Sequence, residues 1–164
     1  MTILTPSDSL QAGRAARNLR RVLFANAATS AAAGLVLAVL PHSLAGLLVP
    51  DGGTLLGLDP AGWLLATGLG LIVFAILVAI VAAPARPKDG FVTAIVAADL
   101  GWVVGSALLL ALAGAALTWP AWILVILVAD MVAVFAWLQS RFLRASGTRP
   151  VPAEPGGRPG PMRA

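Results

Sequence analysis

The sequence predicts an all-α fold: a polytopic transmembrane four-helix bundle, N-in/C-in, with a short interfacial helix after the first span. Three observations carry this. Only 11% of the 164 residues are charged and 59% are hydrophobic, whereas a soluble domain carries about a quarter charged residues. The charges gather in blocks separated by four apolar runs, 22–40, 61–83, 91–117 and 120–140. All twelve prolines fall outside these runs or at their rims, the placement that continuous helices require, because proline removes a backbone donor and clashes with the preceding turn.

The runs hold about 19 to 27 residues, enough to cross roughly 30 Å of hydrocarbon at about 1.5 Å per residue. Helices are the expected form, since a backbone in lipid must satisfy its own hydrogen bonds. Residues 1–20 read as a basic amphipathic lead-in. Thr5 can cap it, Pro6 suits a first helical position, and Asp8 favours the positive end of the dipole. Arg14, Arg17 and Arg21 share a face suited to lipid headgroups. The twin arginines of "RRVLF" superficially match an export signal. The length of the run, the lack of a cleavage site and the three spans that follow predict a retained helix instead.

After the first span, Pro41 marks a break, and 42–49 reads as the short interfacial helix. The third connection, "AALTWP", is short enough to force an antiparallel hairpin between spans three and four. The transmembrane domain is expected to cover 21–142. The remainder, 143–164, contains "ASGTRPVPAEPGGRPGPMRA", with five prolines and four glycines in twenty residues, and is expected to be a disordered cytoplasmic tail.

Orientation follows from the cations. Arg14, Arg17, Arg20 and Arg21 precede span one, Arg86 and Lys88 lie between spans two and three, and Arg141, Arg144, Arg149, Arg158 and Arg163 follow span four. With four spans, all eleven fall on one side. The opposite loops contain Asp51 and Asp59 and no lysine or arginine. Both termini are therefore expected in the cytoplasm, with Trp63, Trp119 and Trp122 forming an outer aromatic belt. The net charge of +4 does not point to nucleic acid, because the basic residues flank apolar spans instead of lining a soluble face.

Asp99 and Asp130 are the only carboxylates within the spans, and no lysine or arginine lies there to pair with them. An aspartate at mid-membrane costs roughly 2.5–3.5 kcal/mol to insert, so at least one is expected as the neutral acid. Counting from the cytoplasmic rim, Asn26 lies roughly 7 Å deep, Asp99 roughly 12 Å, Ser30 roughly 13 Å and Asp130 roughly 16–18 Å. Asp99, Trp102 and Ser106 share a helix face. One polar cluster is expected: Asn26, Ser30, Asp99, Ser106 and Asp130, roofed by Trp102. Gly62, Ala66 and Gly70 in span two, and Ala97, Gly101 and Gly105 in span three, repeat every four residues and are expected to pack those spans together or to form a dimer seam. Asn, Ser and protonated Asp also serve as plain interhelical glue, at about 0.6 kcal/mol each. Trp102 reads as packing, His42 as an interfacial residue, and Thr67 and Gln139 as local hydrogen-bonders.

Zero cysteines exclude disulfides, thiolate metal sites and thiol redox chemistry. One histidine excludes bis-histidine haem ligation within the chain. No HExxH, GxSxG or phosphate-binding glycine loop is present. Two aspartates alone match an intramembrane aspartyl dyad, but neither has the motif context that such a dyad needs. The expectation is a non-enzyme with no metal and no cofactor. "GLGLIVFAIL" and "ADMVAVFAWL" align on Phe74 and Phe135 at an offset of 61, and with a changed loop length Asn26 can be matched to Asp99 at an offset of 73, as in two hairpins related by an axis along the membrane normal.

Across residues 19 to 142, "LRRVLFANA", "GLGLIVFA", "DLGWVVGS" and "FAWLQ" resemble the uncharacterised small four-helix integral membrane proteins of bacteria. The plan is also similar to the broad group that includes DoxX-type subunits, without a motif of theirs to carry over. The resemblance implies a bacterial inner-membrane location and no particular activity. Two functions are expected to compete: a structural or accessory protein whose partners are the lipid bilayer and a second copy or another membrane protein, and a small proton-coupled carrier in which Asp99 and Asp130 titrate.

Overall fold

The computed structural model describes residues 6–49, 54, 57 and 59–146. The described elements are five α-helices and one 3₁₀ turn, with no strand among the described residues. Helix α1 spans Pro6–Val39. Its thirty-four residues extend about 51 Å, well beyond the roughly 30 Å of a hydrocarbon core. The surplus is the basic amino-terminal part, continuous with the apolar run. Thr5, the expected cap, lies outside the described residues.

The chain breaks at Leu40 (φ −119°, ψ 37°), and Pro41 starts the short helix α2, Pro41–Leu48. Proline suits that position because its missing N–H would have had no partner there. Val49 then leaves in an extended conformation.

Helix α3, Pro60–Ala82, is capped by Asp59, whose carboxylate accepts from the backbone N–H of Gly62 at 2.8 Å and of Ala61 at 3.4 Å. Helix α4, Asp89–Ala113, carries Asp89 in its first turn, favourable against the dipole. A 3₁₀ turn, Gly114–Ala116, leads to α5, Trp119–Ser146. Helix α5 thus runs four residues into the expected tail, and the rest of that tail, 147–164, lies outside the described residues.

Four helices are long and apolar enough to cross a membrane, over Gly13–Val39, Pro60–Ala82, Asp89–Ala116 and Trp119–Ser146. Large apolar side chains are exposed around them: Leu112 at 75%, Leu127 at 64% and Ile80 at 62%. In water, such a continuous apolar surface would drive association. In lipid it is the expected exterior.

Packing follows the order α3–α1–α5–α4: α1 lies against α3 and α5, and α4 lies against α5. Helices α3 and α4, though joined by a short loop, barely touch. The closest seam is α1 on α3. A Cβ built on Gly34 would stand 2.7 Å from the Gly68 carbonyl oxygen, and one on Gly68 would stand 2.7 Å from the Gly34 oxygen and 2.8 Å from the Ala38 nitrogen. The backbones therefore meet directly, which only glycine allows.

The expected pairing of spans two and three through their small-residue rows is corrected by this arrangement. Gly62, Ala66, Gly70, Ala97, Gly101 and Gly105 are all exposed, and a Cβ on Gly70, Gly101 or Gly105 would meet nothing within 4 Å. A small-residue row permits close approach without selecting a neighbour. Helix α3 uses a different row: Ala61, Gly68, Ala75 and Ala82, seven apart, are buried.

Both ends are tied by polar contacts. At one, Arg20 of α1 donates from Nε to the Ala82 carbonyl at 3.0 Å and from Nη2 to the Ala83 carbonyl at 3.2 Å, satisfying carbonyls that the end of α3 leaves free. Nearby, Leu19, Leu23, Ala27, Val78, Ala82, Val92 and Ile95 form the main apolar core. At the other end, Thr118 donates from its backbone N–H to Leu48 at 3.0 Å and from its hydroxyl to Leu47 at 2.9 Å. The Trp122 indole donates to the Gly114 carbonyl at 2.9 Å. Helix α2 is thereby pinned to the turn between α4 and α5.

Candidate functional site: a buried carboxylate beside a cavity

Asp99 is 3% exposed, in the middle of α4. Two amides converge on one of its oxygens: Asn26 of α1 donates from Nδ2 to Oδ2 at 2.9 Å, and Gln139 of α5 donates from Nε2 to the same Oδ2 at 3.1 Å. Neither bonds to Oδ1. Asn26 is 1% exposed and Gln139 is fully buried, so three helices are joined by a buried triad. Ser30 extends it, donating from Oγ to Asn26 Oδ1 at 3.4 Å. Among the described residues, two buried polar atoms have no hydrogen-bond partner, the Trp102 Nε1 and the Gln139 Oε1.

Beside the triad lies a cavity of about 290 Å³. Helix α1 contributes Asn26, Thr29 and Ser30, and α4 contributes Asp99 and Trp102. Helix α3 supplies Thr67, Gly70 and Phe74, and α5 supplies Val128, Met131 and Phe135. The walls are therefore chiefly apolar, with Asp99 as their one ionisable side chain. The cavity lies where α3 and α4 stand apart, and two of its lining residues on that side, Gly70 and Ala98, are exposed.

Of the expected cluster, Asn26, Ser30, Asp99 and Trp102 come together. Ser106, one turn beyond Trp102, is half-buried and does not line the cavity. Asp130 is a correction: it is exposed, outside the triad and the cavity. It differs from Asp99 in level as well as in direction, since about 13 Å of helix rise separates it from Gln139, which bonds to Asp99. Gln139 lies nine residues along α5, and nine steps of about 100° place it roughly opposite Asp130 on the helix. The missed member is Gln139. In sequence it reads as a local hydrogen-bonder only, whereas its angular alignment with Ala136 and Val132 marks the inward face.

Among the described residues, no group of three or more His, Cys, Asp or Glu stands together. The arrangement can bind, orient and exchange a proton, and it offers no nucleophile paired with a base. Fold and site together define an all-helical protein with four helices fit to span a bilayer, compatible with a small membrane protein. In comparisons with family models, curated proteins and solved structures, none matched this chain.

Proposed function

We propose that this chain is a multi-pass integral protein of the bacterial inner membrane, with both termini cytoplasmic and α2 at the outer interface. Its role is to bind a small guest within the bilayer, without catalysis and without a cofactor. The cavity beside Asp99 carries this reading. The triad already ties α1, α4 and α5, and a bundle selected for cohesion alone would gain further van der Waals contact by closing α3 on α4. Instead about 290 Å³ stays open beside a carboxylate.

The triad by itself favours a second reading, a structural or accessory protein whose polar cluster holds the bundle or receives a partner helix. A proton-coupled carrier built on two cooperating aspartates loses its geometric support, because Asp130 faces away from Asp99.

Fluorescence in vesicles tests the binding reading. Lipids brominated along the acyl chain should quench the emission contributed by Trp102, the part lost in Trp102→Phe. Gly70→Phe, which fills the mouth, should reduce that quenching. Trp102 emission indifferent to brominated lipid would overturn a cavity open to the bilayer. Orientation is tested directly because the chain has no cysteine. Single cysteines in Asp51→Cys and Arg86→Cys should react from opposite faces of the membrane, the second from the cytoplasm. Reaction of both from one face would overturn the four-span topology.

A further inference from the structure

We propose that the Asp99 cavity takes a small organic cation, an ammonium group carried on an apolar body, entering from the bilayer between α3 and α4. This deepens, and rests on, the binding role proposed above.

Charge comes first. Asp99 lines the cavity, and its Oδ1 takes neither of the two amide bonds. The amides of Asn26 and Gln139 are neutral dipoles, so they orient the carboxyl group without cancelling a charge. No lysine, arginine or histidine occurs within residues 22–39, 60–82, 89–116 or 119–140. The arginines of α1 and α5 stop at Arg21 and resume at Arg141, and none lines the cavity, so a charge partner inside it must be brought by a guest, and attraction between unit charges rises steeply as the dielectric falls. An anionic guest finds no cation here.

The walls specify the rest. Phe74, Phe135, Met131 and Trp102 surround the space, a surface that suits hydrocarbon and, through the aromatic faces, a diffuse positive charge. A bare metal ion needs many oxygens, about six to eight for calcium. Here one carboxylate stands with a few hydroxyls and a side-chain amide. The volume of about 290 Å³ sits at the lower edge of the roughly 300–1,000 Å³ usual for ligand pockets. It suits a single ring or a short branched chain beside the charged head.

The test uses the full chain in detergent micelles and two probes of the same shape, benzyltrimethylammonium and its neutral isostere neopentylbenzene, with binding read by calorimetry. The expected result is saturable binding of the ammonium, at least tenfold tighter than the isostere. In Asp99→Asn, which keeps an acceptor oxygen for both amides, that preference should vanish while the isostere still binds. Equal binding of both probes by the unaltered chain would overturn the cation proposal and leave the binding role standing. So would an undiminished preference in Asp99→Asn. Binding of neither probe, with Trp102 also unquenched by brominated lipid, would sink both. Should Asp99→Asn fail to fold, the comparison of the two probes on the unaltered chain still decides.

Discussion

Asp99 and Asp130, the two carboxylates within the spans, show how two identical side chains can do different things. Asp99 accepts from two amides on two other helices. Asp130 points away from the bundle on α5. Replacing Asp99 with leucine strands the Asn26 and Gln139 amides in an apolar interior, and each unsatisfied buried group costs about 1–3 kcal/mol. Asp99→Leu should therefore lower unfolding stability in detergent by several kcal/mol. Asp99→Asn should lose about 1 kcal/mol, because it keeps one acceptor and interhelical hydrogen bonds in membranes are individually weak. Asp130→Leu should be neutral or stabilising in the same denaturation assay, since it removes a carboxylate from an apolar surface. A loss with Asp130→Leu equal to that with Asp99→Leu would contradict the placement of Asp130. The lone acid of α4 was legible in the sequence because no counter-ion accompanies it. Its partner Gln139 was not, because depth along a helix says nothing about direction around it until the inward face of α5 is known.

Element boundaries were the most legible feature, and for a physical reason. Pro41 and Pro60 stand at the first positions of α2 and α3, where the missing N–H is harmless, and proline is excluded from helix interiors. The choice of contact face was less legible. Rows of small residues four apart drew attention to Gly101 and Gly105, yet the row that touches is spaced by seven on α3 and meets Gly34 of α1. Helix α3 has small residues on more than one face, so spacing alone is ambiguous. Substitution separates the faces. Gly68→Val places its side chain against the Gly34 carbonyl and the Ala38 nitrogen, both rigid backbone, and should destabilise by at least the 1–3 kcal/mol typical of overpacking. Gly101→Ala and Gly105→Ala enter open space and should be neutral or slightly stabilising, because alanine is the better helix former. Thermal unfolding of the three variants in one detergent checks the contrast. Loss of stability in Gly105→Ala with none in Gly68→Val would reverse the assignment of faces.

At the scale of the whole molecule, two hairpins meet: α1 with α3, and α4 with α5. The sequence correspondence of Asn26 with Asp99, and of Phe74 with Phe135, has a spatial counterpart. The first two are hydrogen-bonded to each other, and the second two line the same cavity. A two-fold axis between hairpins would equate the α1–α5 seam with the α4–α3 seam. The molecule departs from that symmetry there, with the first seam packed and the second open. No pattern along the sequence announces this, since the order of helices around a bundle depends on which pairs win in three dimensions. Cohesion between hairpins should then reside in the packed seam, the Asn26–Asp99 bond and the Thr118 bonds to Leu47 and Leu48, and the covalent loop between α3 and α4 should be dispensable. Cutting the chain between Ala85 and Arg86 leaves each hairpin intact and keeps Arg86 and Lys88 at the start of the second. The two halves, co-expressed with an affinity tag on one, should co-purify as a one-to-one complex. Asp99→Leu should weaken the complex, because it removes the hydrogen bond that Asn26 donates to Asp99 across the hairpins and leaves the Asn26 amide unpaired in the interface. Gly70→Leu, at the open seam, should leave the complex intact. Halves that part in the unaltered sequence would show that the α1–α5 seam does not hold the hairpins together, and that the loop does.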